Sequence, residues 1–358
     1  MTGLLAEPAA VPSLRRPPLR PPGAIIAGTG CYLPERRLTN ADLEQVMSTS
    51  DAWILERTGI RERRIAAGDE ATASMAIVAA RAALADAGLS TTDVDLCIVA
   101  TCTPDQVLPS TAAFVADALD LRGGALDVGA ACAGFVYGLV TASALVATGG
   151  VRAALVIGSE TLSRILDVSD RSTGMLFGDG AGAVVVCPTP VGDPSSQGEA
   201  APEAPSGLLS WDLGCDGSAT SILRVPAGGS RLPASAETVA AGLHVIQMDG
   251  REVYRRAIRA IVESVTATLD RAGVGPDEVD VFVPHQANAR IIDAVLPRLG
   301  IAPERTITNI ERYGNTSAAS IPIALAEAHQ AGRVHAGDLV LMTGFGAGMT
   351  WASALVRW

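Results

Sequence analysis

The sequence predicts an α/β protein of two pseudo-equivalent halves, and two observations carry that prediction. The first is an internal repeat. DAGLSTTDVDLCI at 86–98 returns as RAGVGPDEVDVFV at 271–283, a lag of 185, and GAACAGF at 129–135 falls on GNTSAAS at 314–320 with the same lag. That register sets Cys132 against Ser317. A further echo, GDGAGAVVV (178–186) on GFGAGMTWAS (344–353), has a lag of 166 and sets Gly180 on Gly346. The shorter lag assigns the first half about nineteen extra residues, roughly 161–177. The second observation is the order inside each copy: amphipathic helix, Ala-Gly turn, β-rich run, glycine turn, apolar helix, strand, and a glycine-rich turn into a last strand.

Residues 1–22 are rich in Pro and Arg and lack the apolar segment of a secretory signal, so they read as a disordered or extended tail. The first half is expected over 23–187. Its amphipathic helix, 72–87, leads into the strand VDLCIVAT. The stretch 128–151 carries no charge, and its helical part, about 133–148, stops at Gly149-Gly150. At 1.5 Å per residue that helix is shorter than the roughly 30 Å hydrocarbon core of a bilayer. Its twin at 316–331 carries Glu327 and His329. Both are therefore expected to be packed central helices, and no membrane span is expected. The strands AALVIGS and GAVVV close the first half. Residues 188–240 read as an inter-half loop and connector, opening with the Pro/Ser/Gly-rich run 188–206. The second half, 241–358, is expected to hold His244 in a strand GLHVIQM, the helix 251–271, and the strands VDVFVP, LVLMTG and WASALV.

Composition removes several function classes. With 358 residues, 48% apolar and 18% charged, the chain has material for a large core and is not disordered throughout. A net charge of −11 argues against a nucleic-acid partner. All 27 basic residues are Arg, so each basic patch is a set of planar guanidinium forks suited to phosphate. The six cysteines (Cys31, Cys97, Cys102, Cys132, Cys187 and Cys215) include no CxxC pair. Neither a structural zinc site nor a disulfide framework is expected, and the chain reads as a cytoplasmic protein with free thiols.

Three residues stand out for chemistry. Cys132 follows the run ALDVGA and opens the apolar helix, where unpaired N–H groups and the helix dipole favour a thiolate. Position alone allows two readings, a nucleophile or a small residue packed among Gly and Ala. His285 ends the strand VDVFVP, where Pro284 stops the ladder. It either points into a cleft between the halves or is satisfied in a loop. Asn315 precedes the twin helix and is either a functional amide or an ordinary N-cap. Pseudo-symmetry brings the two helix starts together, so thiol, imidazole and amide converge where the halves meet. Gly28-Thr29-Gly30 lacks the third glycine of a dinucleotide fingerprint and no helix follows it.

With these residues in view, the chain resembles β-ketoacyl-acyl-carrier-protein synthase III from about Gly23 to Trp358. The likeness rests on WILERTGIRERR (53–64), ACAGF (131–135), FGDGAGA (177–183), HQANARI (285–291), GNTSAAS (314–320) and FGAGMTWASALV (345–356). The resemblance implies a duplicated thiolase-like fold, an αβαβα layered sandwich, in a homodimer. It implies that Cys132 takes an acyl group from acyl-CoA, and that His285 and Asn315 stabilise the enolate formed when malonyl-acyl-carrier protein loses CO2. Backbone N–H groups of Cys132 and Ala347 match the oxyanion hole. Trp53 and Arg171 match the pair around the CoA adenine, and Arg57 matches a phosphate contact. Phe177, Gly250 and Asn288 match positions along the pantetheine tunnel, while Arg251 stands where some members carry Asn. For Trp53 and Arg57, a helix face packed on the core is the alternative. Arg255, Arg256, Arg259 and Arg290 form either a solvated face or the dock for the acidic carrier. No metal and no cofactor is implied, since acyl-CoA is a substrate. Two other readings are held beside a fatty-acid starter enzyme: a starter-unit synthase or acyltransferase of a polyketide pathway, and an inactive partner subunit, against which the intact Cys132, His285 and Asn315 argue.

Overall fold

Two sheets, each covered on both faces, account for the apolar runs. The structure is a computed structural model that describes residues 23–189 and 206–358. The expected tail at 1–22, and the loop from 190 to 205, lie outside the described residues. The first sheet contains β1 (Ala24–Tyr32), β2 (Leu96–Ala100), β3 (Gly124–Val128), β4 (Ala154–Glu160) and β5 (Gly180–Pro188), in the order β1-β5-β4-β2-β3. The second contains β6 (Gly207–Cys215), β7 (Val281–Pro284), β8 (Leu339–Gly346) and β9 (Thr350–Arg357), in the order β7-β8-β9-β6. The pairs β2–β4 and β7–β8 are parallel, and the pairs β4–β5 and β8–β9 are antiparallel. Such strands bury both faces and so read as continuous apolar stretches.

Helices fill three layers around these sheets. α1 (Asp51–Thr58), α2 (Thr72–Asp86), α3 (Thr111–Ala118), α4 (Gly134–Ala147), α5 (Gly250–Ala272), α6 (Ala289–Leu299) and α7 (Ser320–Gln330) are the longer ones. α2 and α3 cover the outer face of the first sheet, where Ala76, Ala80, Ala83 and Val115 join Val99 and Ile157. α5 and α6 cover the outer face of the second, with Ala257, Ile261, Val265 and Val295 on Phe282 and Leu341. α4 and α7 lie between the sheets, with Phe135, Leu139, Ile321 and Leu325 packed against Ile98, Val156, Val340 and Met342. α4 carries no charge, and α7 is buried from Ser320 to Ala326, with Glu327 and His329 only half-buried near its end. α5 is amphipathic instead; Asp249 caps its start and Gly273, with φ 67°, ends it. The layers are therefore αβαβα, and the two halves repeat the same order.

The glycines Gly28 and Gly30 belong to β1. A Cβ on Gly30 would lie 2.4 Å from Ala79 O, so they admit α2 rather than a phosphate.

Four sequence expectations change. First, Ala131 and Ser317 share a left-handed backbone (φ 47° and 48°), and the central helices begin at Gly134 and Ser320. This puts the register at 186 here, against 185 at the preceding short helices Thr91–Asp93 and Pro276–Glu278. Cys132 is thus the counterpart of Ala318, not of Ser317, because the second half carries one extra residue between the matched segments. Second, Glu160 pairs with Gly180 as Gly346 pairs with Thr350. Gly346 matches Glu160, and the two glycine-rich strings are not structural equivalents. The excess of the first half is the connection 161–179, which answers to 347–349 in the second. Third, β6 lies in the stretch read as connector yet is the first strand of the second sheet, since its residues alternate too weakly to reveal a half-buried strand. Fourth, His244 sits in a turn, bonded to Thr238 Oγ1 at 2.9 Å, and only Gln247–Met248 are strand.

Candidate active site

The turns before α4 and α7 meet at the seam between the halves. One strand of each half presses a glycine onto the other half's turn. A Cβ on Gly158 would lie 2.2 Å from Ala318 O, and one on Gly344 would lie 3.1 Å from Cys132 O. A side chain would push the turns apart, so close approach requires glycine there. The left-handed Ala131 and Ser317 are strained for residues with a Cβ, and both stand next to this seam.

Cys132, His285 and Asn315 line one cavity of about 260 Å³. All three are buried. Cys132 lies in the short turn Ala131–Ala133 ahead of α4. His285 directly follows β7, its backbone N–H donating to Thr343 O at 2.8 Å and its Nδ1 lying 2.6 Å from Ser320 Oγ. The ring meets Phe345 edge-on, with centroids 5.8 Å apart. Asn315 Oδ1 accepts from Ser317 N–H at 2.8 Å, which turns its Nδ2 donors away from that turn. The amide thus shapes the helix start, as an N-cap would, and still lines the cavity. Gly346 is also in the wall, where a Cβ would come 2.5 Å from Cys132 N. Ala347 follows it in the turn to β9.

Burial decides the charge of the two titrating groups. It pushes the Cys132 thiol up to about 12 and the His285 imidazole down to about 3. The helix start alone therefore does not supply a thiolate, because desolvation outweighs it. At neutral pH the site holds a thiol and a neutral imidazole.

From these buried groups the cavity reaches the surface at Trp53, Arg57, Asn288 and Arg290. Arg171 Cζ lies 3.7 Å from the Trp53 ring centroid and Arg57 Cζ lies 4.7 Å from it. Phe177 is in the wall and pairs with Asn315 through a β-bridge, and Gly250 lines the wall at the first turn of α5. Asn288 caps α6 and also donates to Arg57 O at 3.1 Å. Arg251 is exposed and does not line the cavity.

The four docking candidates separate. Arg290 lines the cavity and lies over Tyr254 at 5.9 Å. Arg255, Arg256 and Arg259 line a neighbouring groove, where Glu252, Asp216 and Glu263 pair with them at 2.6–2.7 Å. Their net field is therefore smaller than three guanidinium groups suggest.

Sequence reasoning missed Ser320, Glu160 and Arg63. Ser320 was hidden because a serine in a helix carries no sign of its partner. Glu160 offered a signal, an acid at the end of an apolar strand. Arg63 is fully buried and donates to Asn40 Oδ1 at 2.9 Å and Met175 O at 2.5 Å, tying the cavity wall to the N-terminal segment.

Comparisons with known proteins agree with this geometry. Residues 126–200 match the model for 3-oxoacyl-[acyl-carrier-protein] synthase III, and residues 269–358 match the model for its C-terminal part. A beta-ketoacyl-[acyl-carrier-protein] synthase III from Desulfitobacterium hafniense is 50% identical over 93% of this chain and 97% of its own. One from Symbiobacterium thermophilum is 50% identical over 95% and 99%. The chain belongs to the 3-oxoacyl-[acyl-carrier-protein] synthase III family. Among solved structures, the Aquifex aeolicus synthase III superimposes with a TM-score of 0.83 at 44% identity, covering 94% of this chain and all of that one. The priming β-ketosynthase of the R1128 polyketide pathway gives 0.84 at 35%, covering 96% and 98%. Membership makes the chain a condensing acyltransferase with the thiolase-like fold. Among the described residues no helix is long and apolar enough to cross a membrane.

Proposed function

We propose that this chain condenses a short acyl-CoA, such as acetyl-CoA, with malonyl-acyl-carrier protein to give 3-oxoacyl-acyl-carrier protein, the first condensation of fatty-acid synthesis. The observation that carries this reading is the convergence of Cys132, His285 and Asn315 in a cavity whose outer end presents Trp53 and Arg57. Cys132 Sγ attacks the thioester carbon and CoA leaves. Malonyl-carrier protein then loses CO2, while His285 and Asn315 donate hydrogen bonds to its thioester oxygen. A neutral imidazole suits that role, because it can donate without leaving a buried charge behind. The carbanion attacks the acyl-enzyme, and the N–H groups of Cys132 and Ala347 receive the oxyanion. The scheme needs no metal and no redox cofactor.

The protein acts as a homodimer in this reading. β3 is an edge strand with Leu126 38% exposed, and the nearby Val107 and Leu108 are 92% and 84% exposed. An open edge flanked by apolar side chains is a template for a second copy. Substrates of this kind place the enzyme in the cytoplasm. The R1128 likeness favours a polyketide starter role as the second reading, at lower identity than the fatty-acid relatives.

Intact-protein mass spectrometry after mixing with acetyl-CoA tests the first step. An acetyl adduct is expected on the wild type and absent from Cys132→Ser. An adduct surviving on Cys132→Ser refutes the assignment. Extension with malonyl-carrier protein then separates condensation from simple acyl transfer.

A further inference from the structure

The backbone at His285 is held from both sides. Its N–H donates to Thr343 O at 2.8 Å, and the next residue, Gln286, is fully buried. Gln286 Nε2 donates to Pro284 O at 2.7 Å and to Ile307 O at 3.2 Å. Its Oε1 accepts from Asn309 N–H at 3.0 Å and from Ile310 N–H at 3.3 Å. Phe345 meets the imidazole edge-on. None of these contacts decides which ring nitrogen carries the proton.

Ser320, the first residue of α7, does decide it. Its Oγ lies 2.6 Å from Nδ1 and accepts from Gln286 N–H at 3.2 Å. The residue is buried, and among the described residues Nδ1 is the one acceptor bonded to this hydroxyl. If Nδ1 carried a hydrogen, the serine proton would be buried without a partner, which is costly. Ser320 therefore donates to Nδ1, and Nε2 carries the imidazole proton. His285 lines the cavity and Ser320 does not, so Nε2 is the nitrogen turned toward Cys132 and Asn315. The fold does not require a hydroxyl here. In the first half Gly134 answers to Ser320 and Ala100 to His285, and a Cβ on Gly134 would lie 3.1 Å from Ala100 Cβ. The same two positions touch in both halves, and only the second half places a hydroxyl and an imidazole there.

We propose that Ser320 is a positioning residue for decarboxylation: its hydroxyl fixes the imidazole as the tautomer protonated on Nε2, the form that can donate to the malonyl thioester oxygen. As the bond to CO2 breaks, its electron pair moves toward that oxygen as an enolate. Nε2–H and the Asn315 Nδ2 donors meet the charge, and no proton leaves the ring. In the other tautomer Nε2 would turn a lone pair toward the same charge. The Gln286 N–H occupies one side of the serine oxygen, which leaves the hydroxyl proton directed at Nδ1 before substrate arrives. The inference rests on the reading that His285 donates to the malonyl thioester. Acylation of Cys132 precedes that step and does not use Nε2–H.

Nitrogen-15 NMR of the histidine-labelled full chain tests the tautomer, with His285 assigned by its loss in His285→Ala. An unprotonated Nδ1 and a protonated Nε2 are expected in the wild type. Ser320→Ala is expected to slow CO2 release from malonyl-carrier protein by about 10-fold, the scale of one lost hydrogen bond, at unchanged KM. Acetylation of Cys132 by acetyl-CoA, followed by intact mass, is expected to keep its wild-type rate. Ser320→Thr keeps the hydroxyl and should decarboxylate faster than Ser320→Val, which has the same shape without it. Equal rates in Thr and Val overturn the proposal, as does equal slowing of acetylation and decarboxylation in Ser320→Ala, which marks a structural role. If the variants fail to fold, the wild-type spectrum still decides, and a proton on Nδ1 overturns the proposal. Decarboxylation by His285→Ala at the wild-type rate overturns the reading of His285 itself, and the role of Ser320 with it. A slow His285→Ala beside a Ser320→Ala of wild-type rate overturns the role of Ser320 alone.

Discussion

Arg171 stacks on the Trp53 indole, its Cζ 3.7 Å from the ring centroid, although 118 residues separate the two in sequence. Arg171 belongs to the 161–179 connection that the second half replaces with three residues. The longer connection therefore delivers a guanidinium to the outer end of the cavity. A planar base fits between or beside two such flat groups, which attract it through dispersion and cation–π terms.

Removing either face is expected to weaken acyl-CoA binding and leave the chemistry alone. Trp53→Ala or Arg171→Ala should raise KM for acetyl-CoA by about 2–30-fold, matching a stacking contribution of about 0.5–2 kcal/mol. Steady-state kinetics at varied acetyl-CoA checks this. A fall in kcat at constant KM would place these residues outside the CoA site.

Arg63 is expected to be a stability residue. Burial lowers its guanidinium to about 10, yet it keeps its bonds to Leu38 O, Asn40 Oδ1 and Met175 O. Arg63→Met leaves those acceptors buried and unpaired, at a cost of about 3 kcal/mol. Urea unfolding should show a lower midpoint, and the loosened Met175–Phe177 wall should raise KM for acyl-CoA. An unchanged midpoint contradicts the assignment.

The neutral His285 sets the sign of one pH effect. Its folded value of about 3 is below its ordinary 6.5, so between those limits the unfolded chain binds more protons. Its contribution is present above about 6.5 and is lost as pH falls toward about 3. The slope from this residue alone is at most about 1.4 kcal/mol per pH unit. Melting temperature followed across this range should fall less steeply in His285→Asn. Parallel slopes for the two proteins would mean that the imidazole titrates normally when folded.

Carrier docking is expected to fall on Arg290 more than on the α5 cluster. Glu252, Asp216 and Glu263 already hold Arg255, Arg256 and Arg259. Arg290→Glu should raise KM for malonyl-carrier protein, weakening as salt is added, without slowing acylation by acetyl-CoA. Arg255→Glu should do less. The reverse ranking would move the dock onto α5.

The sequence by itself determined the two-half α/β plan, the central position of α4 and α7, and the trio Cys132, His285 and Asn315. Those features repeat along the chain or sit at strand and helix ends, where periodicity and turn chemistry are local. It did not reveal the one-residue shift that pairs Cys132 with Ala318. Short repeats keep their likeness through small insertions, so only backbone angles and strand pairing settle the register. Nor did it reveal β6, whose place is decided by pairing with β9. The charge of the site also depends on tertiary structure, because burial pushes the Cys132 thiol up against the helix start. A helix start favours a thiolate, whereas the depth of burial is set by residues from both halves. The neighbours that hold the site, Ser320 on His285 and Glu160 on the Ala318 turn, come from segments up to 158 residues apart. Such contacts leave no local pattern, because they form only when the two sheets close on the helices between them.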